Sequence, residues 1–135
     1  MSLRICGVLA AVAVIVAAMP ASAQQYPSRT VRLVVPYAAG GTGDIVARVL
    51  ADRLAQSLGQ SVVVENRPGA TGALGSKAVL SAAPDGHTIL VGQTGEMAIN
   101  QHWAKGLGYD PVADFQPIAL ATIVPRALVV PGKAS

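Results

Sequence analysis

The residues of this chain best suited to chemistry lie in three glycine-bearing loops. The first is Tyr37-Ala38-Ala39-Gly40-Gly41-Thr42-Gly43-Asp44. Glycines let a ligand approach the backbone with no Cβ in the way. A helix that starts in such a loop offers unpaired N–H groups and a partial positive charge, which favour an anion such as a carboxylate or phosphate. Thr42 adds a hydroxyl that donates or accepts. Asp44 repels an anion and suits a helix cap or a partner for a ligand ammonium group. The same residues also describe a tight strand–helix turn with no ligand, and their types leave both readings open. The second loop, residues 66–75, has Gly69, Gly72 and Gly75 and again precedes a helix. Its Arg67 could pair with a carboxylate or serve as a structural or solvated arginine. The third is Gly92-Gln93-Thr94-Gly95-Glu96. Gln93 and Thr94 could hydrogen-bond a polar ligand, or simply form a polar loop.

Other chemistries find little support. His87 and His102 are the only histidines and have no carboxylate pattern beside them. Zinc needs three or four clustered ligands, so neither a metal nor a cofactor is expected. Cys6 is the only cysteine and lies near the N-terminus, which removes a CxxC site or a cysteine nucleophile from the rest. The serines lie in no G-x-S-x-G elbow. Basic residues are scattered and aromatics are 4% of the chain, which disfavours nucleic-acid binding by stacking. His87 reads as a turn residue after Asp85-Gly86. Trp103 and Tyr109 are expected to pack beneath a loop.

A dinucleotide site is the rival reading, as in a small Rossmann-like NAD(P)-binding oxidoreductase. Gly41 and Gly43 follow a strand, and Glu65 ends the next one, where a ribose-binding acid belongs. Against it, the third glycine of the fingerprint falls at Val46, and extra residues intervene after Pro36.

These loops need elements to hold them. The run Val31-Arg32-Leu33-Val34-Val35 reads as a buried strand stopped by Pro36. Residues 44–58 read as a helix: Arg48, Asp52 and Gln56 recur on one face, and Ile45, Val46, Val49, Leu50, Leu54 and Leu58 fill the rest. Thr42 or Asp44 suits its start and Gly59 its left-handed stop. Residues 61–65 form a second strand of the continuous apolar type found in parallel sheets. A helix over 72–82 ends before Pro84, a third strand covers 88–91, and a shorter helix covers 96–103. Residues 118–124 and 127–130 read as further extended apolar stretches. The order β-α-β-α-β-α-β predicts an α/β fold with a parallel sheet and right-handed crossovers.

The chain is 52% hydrophobic and 13% charged, and the excess is concentrated near the start. Arg4, a short apolar run and Ala21-Ser22-Ala23 have the layout of a cleavable secretory signal over residues 1–23. No second apolar run is long enough to span a bilayer.

The chain resembles the substrate-binding receptors of tripartite tricarboxylate transporters, the Bug family. The resemblance rests on an ordered set of segments. They are Tyr26-Pro27; Val34-Val35-Pro36-Tyr37-Ala38-Ala39-Gly40-Gly41-Thr42-Gly43-Asp44 with Arg48; and Val64-Glu65-Asn66-Arg67-Pro68-Gly69-Ala70 with Gly72 and Gly75. Next come Ala83-Pro84-Asp85-Gly86-His87-Thr88-Ile89-Leu90, and Tyr109-Asp110-Pro111 with Asp114-Phe115. The position of His87 is usually tyrosine in this family.

The resemblance implies a periplasmic receptor, not an enzyme, with two α/β lobes of the type II binding-protein kind and a cleft between them. Such receptors capture di- or tricarboxylates and pass them to a membrane permease. It places Tyr37, Ala38, Gly40, Gly41, Thr42 and Asp44 at the ligand, held by backbone N–H groups and bridging water. Gln93 and Thr94 would line the same cleft. Family members are more than twice as long. The expectation is therefore an incomplete N-terminal lobe over 24–130, a crossover toward a second lobe starting at 131–135, and weak or absent binding by this chain alone.

Overall fold

A computed structural model describes residues 25–125 of the chain. Strand β1 (Val31–Val35) leads through the first glycine loop into helix α1 (Thr42–Leu58). Strand β2 (Val62–Asn66) follows, then a 3-10 turn (Ala70–Gly72) and helix α2 (Ala73–Leu80). Strand β3 (Thr88–Leu90) precedes a π-type turn (Gly95–Ile99) and the short helix α3 (Asn100–Trp103). The strands are parallel in the order β2-β1-β3, so the α/β expectation holds.

Strand β1 is central because its sequence has almost nothing to offer solvent. Val31, Leu33, Val34 and Val35 are buried, and only Arg32 reaches out. Each such aliphatic side chain contributes roughly 1.5–3 kcal/mol on burial. Val31 faces Val62 and Val35 faces Asn66 in the β2 register, and Leu33 pairs with Ile89 of β3. Helix α1 approaches this sheet through small residues, the buried Ala47 and Ala51. Ala51 joins Val31 and Leu33 in the core, with Leu50, Leu54, Val64 and Ile89 packed against them. Ile45 and Val49 lie on the solvent side instead, each 59% exposed. An apolar count alone assigns them to the core; the helical phase does not. Gly59 ends α1 at φ 65°, its N–H bonded to the Ala55 carbonyl, as a left-handed stop requires.

Three expectations change. Helix α1 is capped at Gly41, with no side-chain cap from Thr42 or Asp44. The expected 72–82 helix is shorter at both ends, because residues 70–72 take a 3-10 turn first and Ser81 already caps its end. Residues 118–124 form no strand, and Ile118, Leu120 and Ile123 are largely exposed. An apolar run favours extended backbone, but a strand also needs a hydrogen-bonding neighbour, and none of the described strands pairs with this one. The stretch 127–130 and the signal at 1–23 lie outside the described residues. No helix among the described residues is long and apolar enough to cross a membrane.

Candidate functional site

All three glycine loops leave the carboxyl ends of parallel strands, where open α/β sheets bind ligands. The first is built around the end of α1. Gly41 is extended (φ −77°, ψ 168°), and the first intrahelical bond runs from Ile45 N–H to its carbonyl at 3.0 Å. The N–H groups of residues 41–44 therefore have no acceptor within the helix. Gly41 and Thr42 are exposed, so this helix end is open to a ligand.

Asp44 sits in the first turn, yet it does not compete for that role. Its buried carboxylate accepts from Gly40 N–H (2.9 Å), from Arg48 Nε and Nη2 (both 3.0 Å) and from Asn66 Nδ2 (3.0 Å). The Arg48 bonds, then the Gly40 N–H and Asn66, pull its pKa down to about 2. The two-pronged Arg48 pair also neutralises the charge that would repel an anion. Asp44 thus anchors the loop from within, with no room for a ligand ammonium group. Asn66 is the residue that sequence reasoning passed over. Its amide joins Asp44 to the Tyr37 carbonyl (3.1 Å), because the β1–β2 register sets it beside Val35. An amide at the end of a strand adjoining a glycine loop was the available signal.

The third loop meets the first. A Cβ on Gly43 would lie 2.6 Å from Gln93 Nε2, so the Gln93 amide rests against the first turn of α1. Tyr37 is half-buried, and its hydroxyl donates to Glu96 Oε2 at 2.6 Å. Glu96 Oε1 accepts the Gln93 N–H at 2.5 Å, and the Glu96 carbonyl accepts from the Tyr109 hydroxyl at 2.9 Å. Glu96 is fully buried and was also missed: in the sequence it is one acid in a polar loop. Thr94 and Ala38 are exposed, and Thr94 makes no side-chain hydrogen bond among the described residues.

The second loop packs on the same point. Gly72, at φ 92°, has its Cα face against Glu96, where a Cβ would come within 2.9 Å of Oε2. Just before it, Ala70 (φ 46°) and Thr71 (φ 53°) are both left-handed, a conformation that costs a non-glycine residue roughly 1–3 kcal/mol. The buried Asn100 holds this turn by donating to the Thr71 carbonyl at 2.9 Å. Arg67 turns away and pairs with Glu65 at 2.6 Å, while Arg32 reaches the other Glu65 oxygen at 3.4 Å. Both oxygens of the acid that a dinucleotide ribose would need are thus held by arginines.

The amino ends of β1 and β3 carry a separate polar cluster. His87 is buried, not a plain turn residue, and its ring lies edge-on to Tyr26 at 5.1 Å. Ser28 N–H donates to Nε2 (3.2 Å), which leaves the ring proton on Nδ1, facing the Asp85 carbonyl at 3.1 Å. Asp85 accepts from His87 N–H and Arg29, and these lower its pKa to about 2. A cleft of about 350 Å³ runs along these side chains. Tyr109 packs edge-on against Phe115, as expected of a supporting residue, whereas Trp103 is exposed.

Known proteins resemble this chain in sequence and in fold. The sequence model of a family described as the tripartite tricarboxylate transporter family receptor matches residues 46–135. A UPF0065 protein of Bordetella bronchiseptica is 41% identical over 115 residues, which is 85% of this chain and 34% of that protein. Among solved structures, MatC of Rhodopseudomonas palustris with bound malate superposes with a TM-score of 0.69 at 45% identity, covering 71% of this chain and 33% of its own. The periplasmic binding protein BugD gives 0.62 at 43% identity, over 69% and 31%. The chain therefore spans about a third of the length of the curated relatives it matches.

Proposed function

Because this chain belongs to the tripartite tricarboxylate transporter receptor family, we propose that it serves as a periplasmic solute receptor for organic carboxylates. It binds a small di- or tricarboxylate and presents it to a membrane permease, and it catalyses no reaction. The observation that carries this reading is the open end of α1: N–H groups without acceptors among the described residues, a neutralised Asp44, and the Gln93 amide alongside. Those are the parts an anion site needs.

Residues 24–130 act in this reading as one lobe, and residues 1–23 as the export signal. One ligand carboxylate lies on the N–H groups of residues 41–44. Tyr37, Ala38, Gly40, Gly41 and Thr42 line it, Asp44 braces it, and Gln93 and Thr94 close the near side. The malate found in MatC supports a dicarboxylate of that size. One lobe leaves the bound anion open to water, so these residues alone bind weakly, at about 1 mM, or roughly −4 kcal/mol.

Titration of the isotope-labelled chain with malate, followed by amide NMR, tests this. Shifts are expected at residues 41–44 and at Gln93 and Thr94. Shifts confined to the cleft beside His87, or none at all, would overturn the reading. N-terminal sequencing of the exported protein is expected to begin at Gln24.

A further inference from the structure

Asn66 is the last residue of β2, yet its side chain serves the loop that leaves β1. Its Nδ2 donates to the Tyr37 carbonyl at 3.1 Å and to Asp44 Oδ1 at 3.0 Å. Tyr37 opens the first glycine loop and Asp44 closes it, so one nitrogen clasps both ends. The two acceptors are neighbours in space although residues 38–43 lie between them in the chain. A carbonyl only accepts, and Asp44 is ionised at neutral pH, its pKa being held to about 2. Both bonds therefore run outward from the amide. A primary amide carries two protons on one nitrogen, one for each acceptor. Serine would have one proton to give and an ionised aspartate none.

The clasp reaches further than its own two bonds. Asp44 Oδ2 accepts the Gly40 N–H at 2.9 Å, which ties the middle of the loop to the same carboxylate, and Arg48 holds both oxygens from the next turn of α1. The backbone in between has little packing of its own. Residues 38–41 are exposed, and a Cβ on Gly40 would meet nothing within 4 Å. Hydrogen bonds rather than contacts thus fix its course. The strand register sets Asn66 beside Val35, so it is the sheet that imposes this geometry on the loop. We propose that Asn66 is a positioning residue for the carboxylate site: it holds the two ends of the loop together, so that the N–H groups at the start of α1 meet the anion in a fixed frame. A side chain on β2 then governs affinity without touching the ligand. This inference rests on the carboxylate-receptor reading.

The test is amide NMR titration with malate of the chain, Asn66→Asp and Asn66→Ala, each at pH 8 and pH 5. At pH 8 Asn66→Asp sets a second carboxylate against Asp44 and donates nothing, and binding is expected to fall about tenfold. The charged groups bonded into this cluster are Asp44 and Arg48 of α1. Two carboxylates this close bind a shared proton more readily than either binds one alone. At pH 5 that proton restores a donor, and the deficit is expected to shrink to about twofold. Comparison with the unaltered chain at the same pH cancels the ligand's own ionisation. Asn66→Ala has no proton to regain, so its loss of about tenfold is expected at both pH values. The Gly40 amide gives a readout that needs no ligand, because it reports the ionisation of Asp44. In Asn66→Ala its acid midpoint is expected to rise from about 2 toward 3.8, since a donor to the ionised form is gone. Should Asn66→Asp fail to fold, as judged by its amide spectrum, the affinity and the Gly40 midpoint of Asn66→Ala decide. Unchanged affinity or an unmoved midpoint in Asn66→Ala, or a deficit in folded Asn66→Asp that does not narrow at pH 5, would overturn the role of Asn66. Absence of malate binding by the unaltered chain would instead overturn the receptor reading beneath it.

Discussion

The two ends of the sheet use similar parts to opposite effect. Each has an aspartate held down to about 2, and each pairs it with an arginine. At the amino ends, the cluster consumes its own donors: Ser28 N–H goes to His87, and His87 N–H to Asp85. At the carboxyl ends, Asp44 is satisfied by Gly40, Arg48 and Asn66, and the helix N–H groups beyond it have no acceptor among the described residues. A similar ion pair therefore locks one end and, in the proposed reading, keeps the other ready for an anion. The difference lies in which backbone donors the carboxylate takes: at Asp44 it takes the one just outside the helix and leaves the helix's own.

The largest way to break this contrast is steric. Gly75→Ala would press a Cβ within 2.7 Å of Pro36 Cβ and 2.8 Å of its Cα, and 3.0 Å from the Arg67 carbonyl. Those atoms belong to a buried proline and to backbone, which cannot swing aside. A loss of about 1–3 kcal/mol is expected from the denaturant midpoint, despite alanine's better helix propensity.

Acid titration comes next. Both aspartates fall from an ordinary 3.8 to about 2 on folding, so folding favours their ionised forms. Their contribution is complete above about pH 4 and is lost as pH falls through 2. Asp44→Asn and Asp85→Asn should each flatten that acid limb. Asp44→Asn alone should weaken malate binding by roughly tenfold, since it removes charge-assisted bonds that brace the loop. A similar loss in Asp85→Asn would erase the distinction between the two ends. The smallest effect on stability is expected for Gly43→Ala, within about 0.5 kcal/mol. Its Cβ comes too close only to the tip of the Gln93 side chain, which can rotate away, and meets Val35 Cγ1 at an ordinary 3.6 Å. The displaced amide should nevertheless show as a chemical-shift change at Gln93.

Local pattern made much of this legible. The aliphatic run of β1, the Gly59 stop and the three loops follow from neighbours in the chain. Glu96, Asn66 and the burial of His87 do not. Tyr37 and Glu96 are 59 residues apart, and Asn66 and Asp44 are 22 apart. No periodicity links such pairs; only the register of parallel strands brings them together. Residues 118–124 show the converse, since an apolar run cannot supply the partner strand that a sheet requires. Ile45 and Val49 show that composition overcounts a core when small residues such as Ala47 and Ala51 make the contact.

The left-handed pair Ala70 and Thr71 has a consequence for how the molecule opens. Their turn is held against its own torsional preference by Asn100, which belongs to an element 29 residues further along. When α3 frays, the restraint disappears and the turn relaxes at once toward ordinary right-handed or extended backbone. The two segments are therefore expected to open as one cooperative unit, their amides exchanging with solvent together in a hydrogen-exchange experiment although they are distant in sequence. Gly72 and Glu96, which pack on each other, lie between them in the chain, so the same opening is expected to expose the buried Glu96.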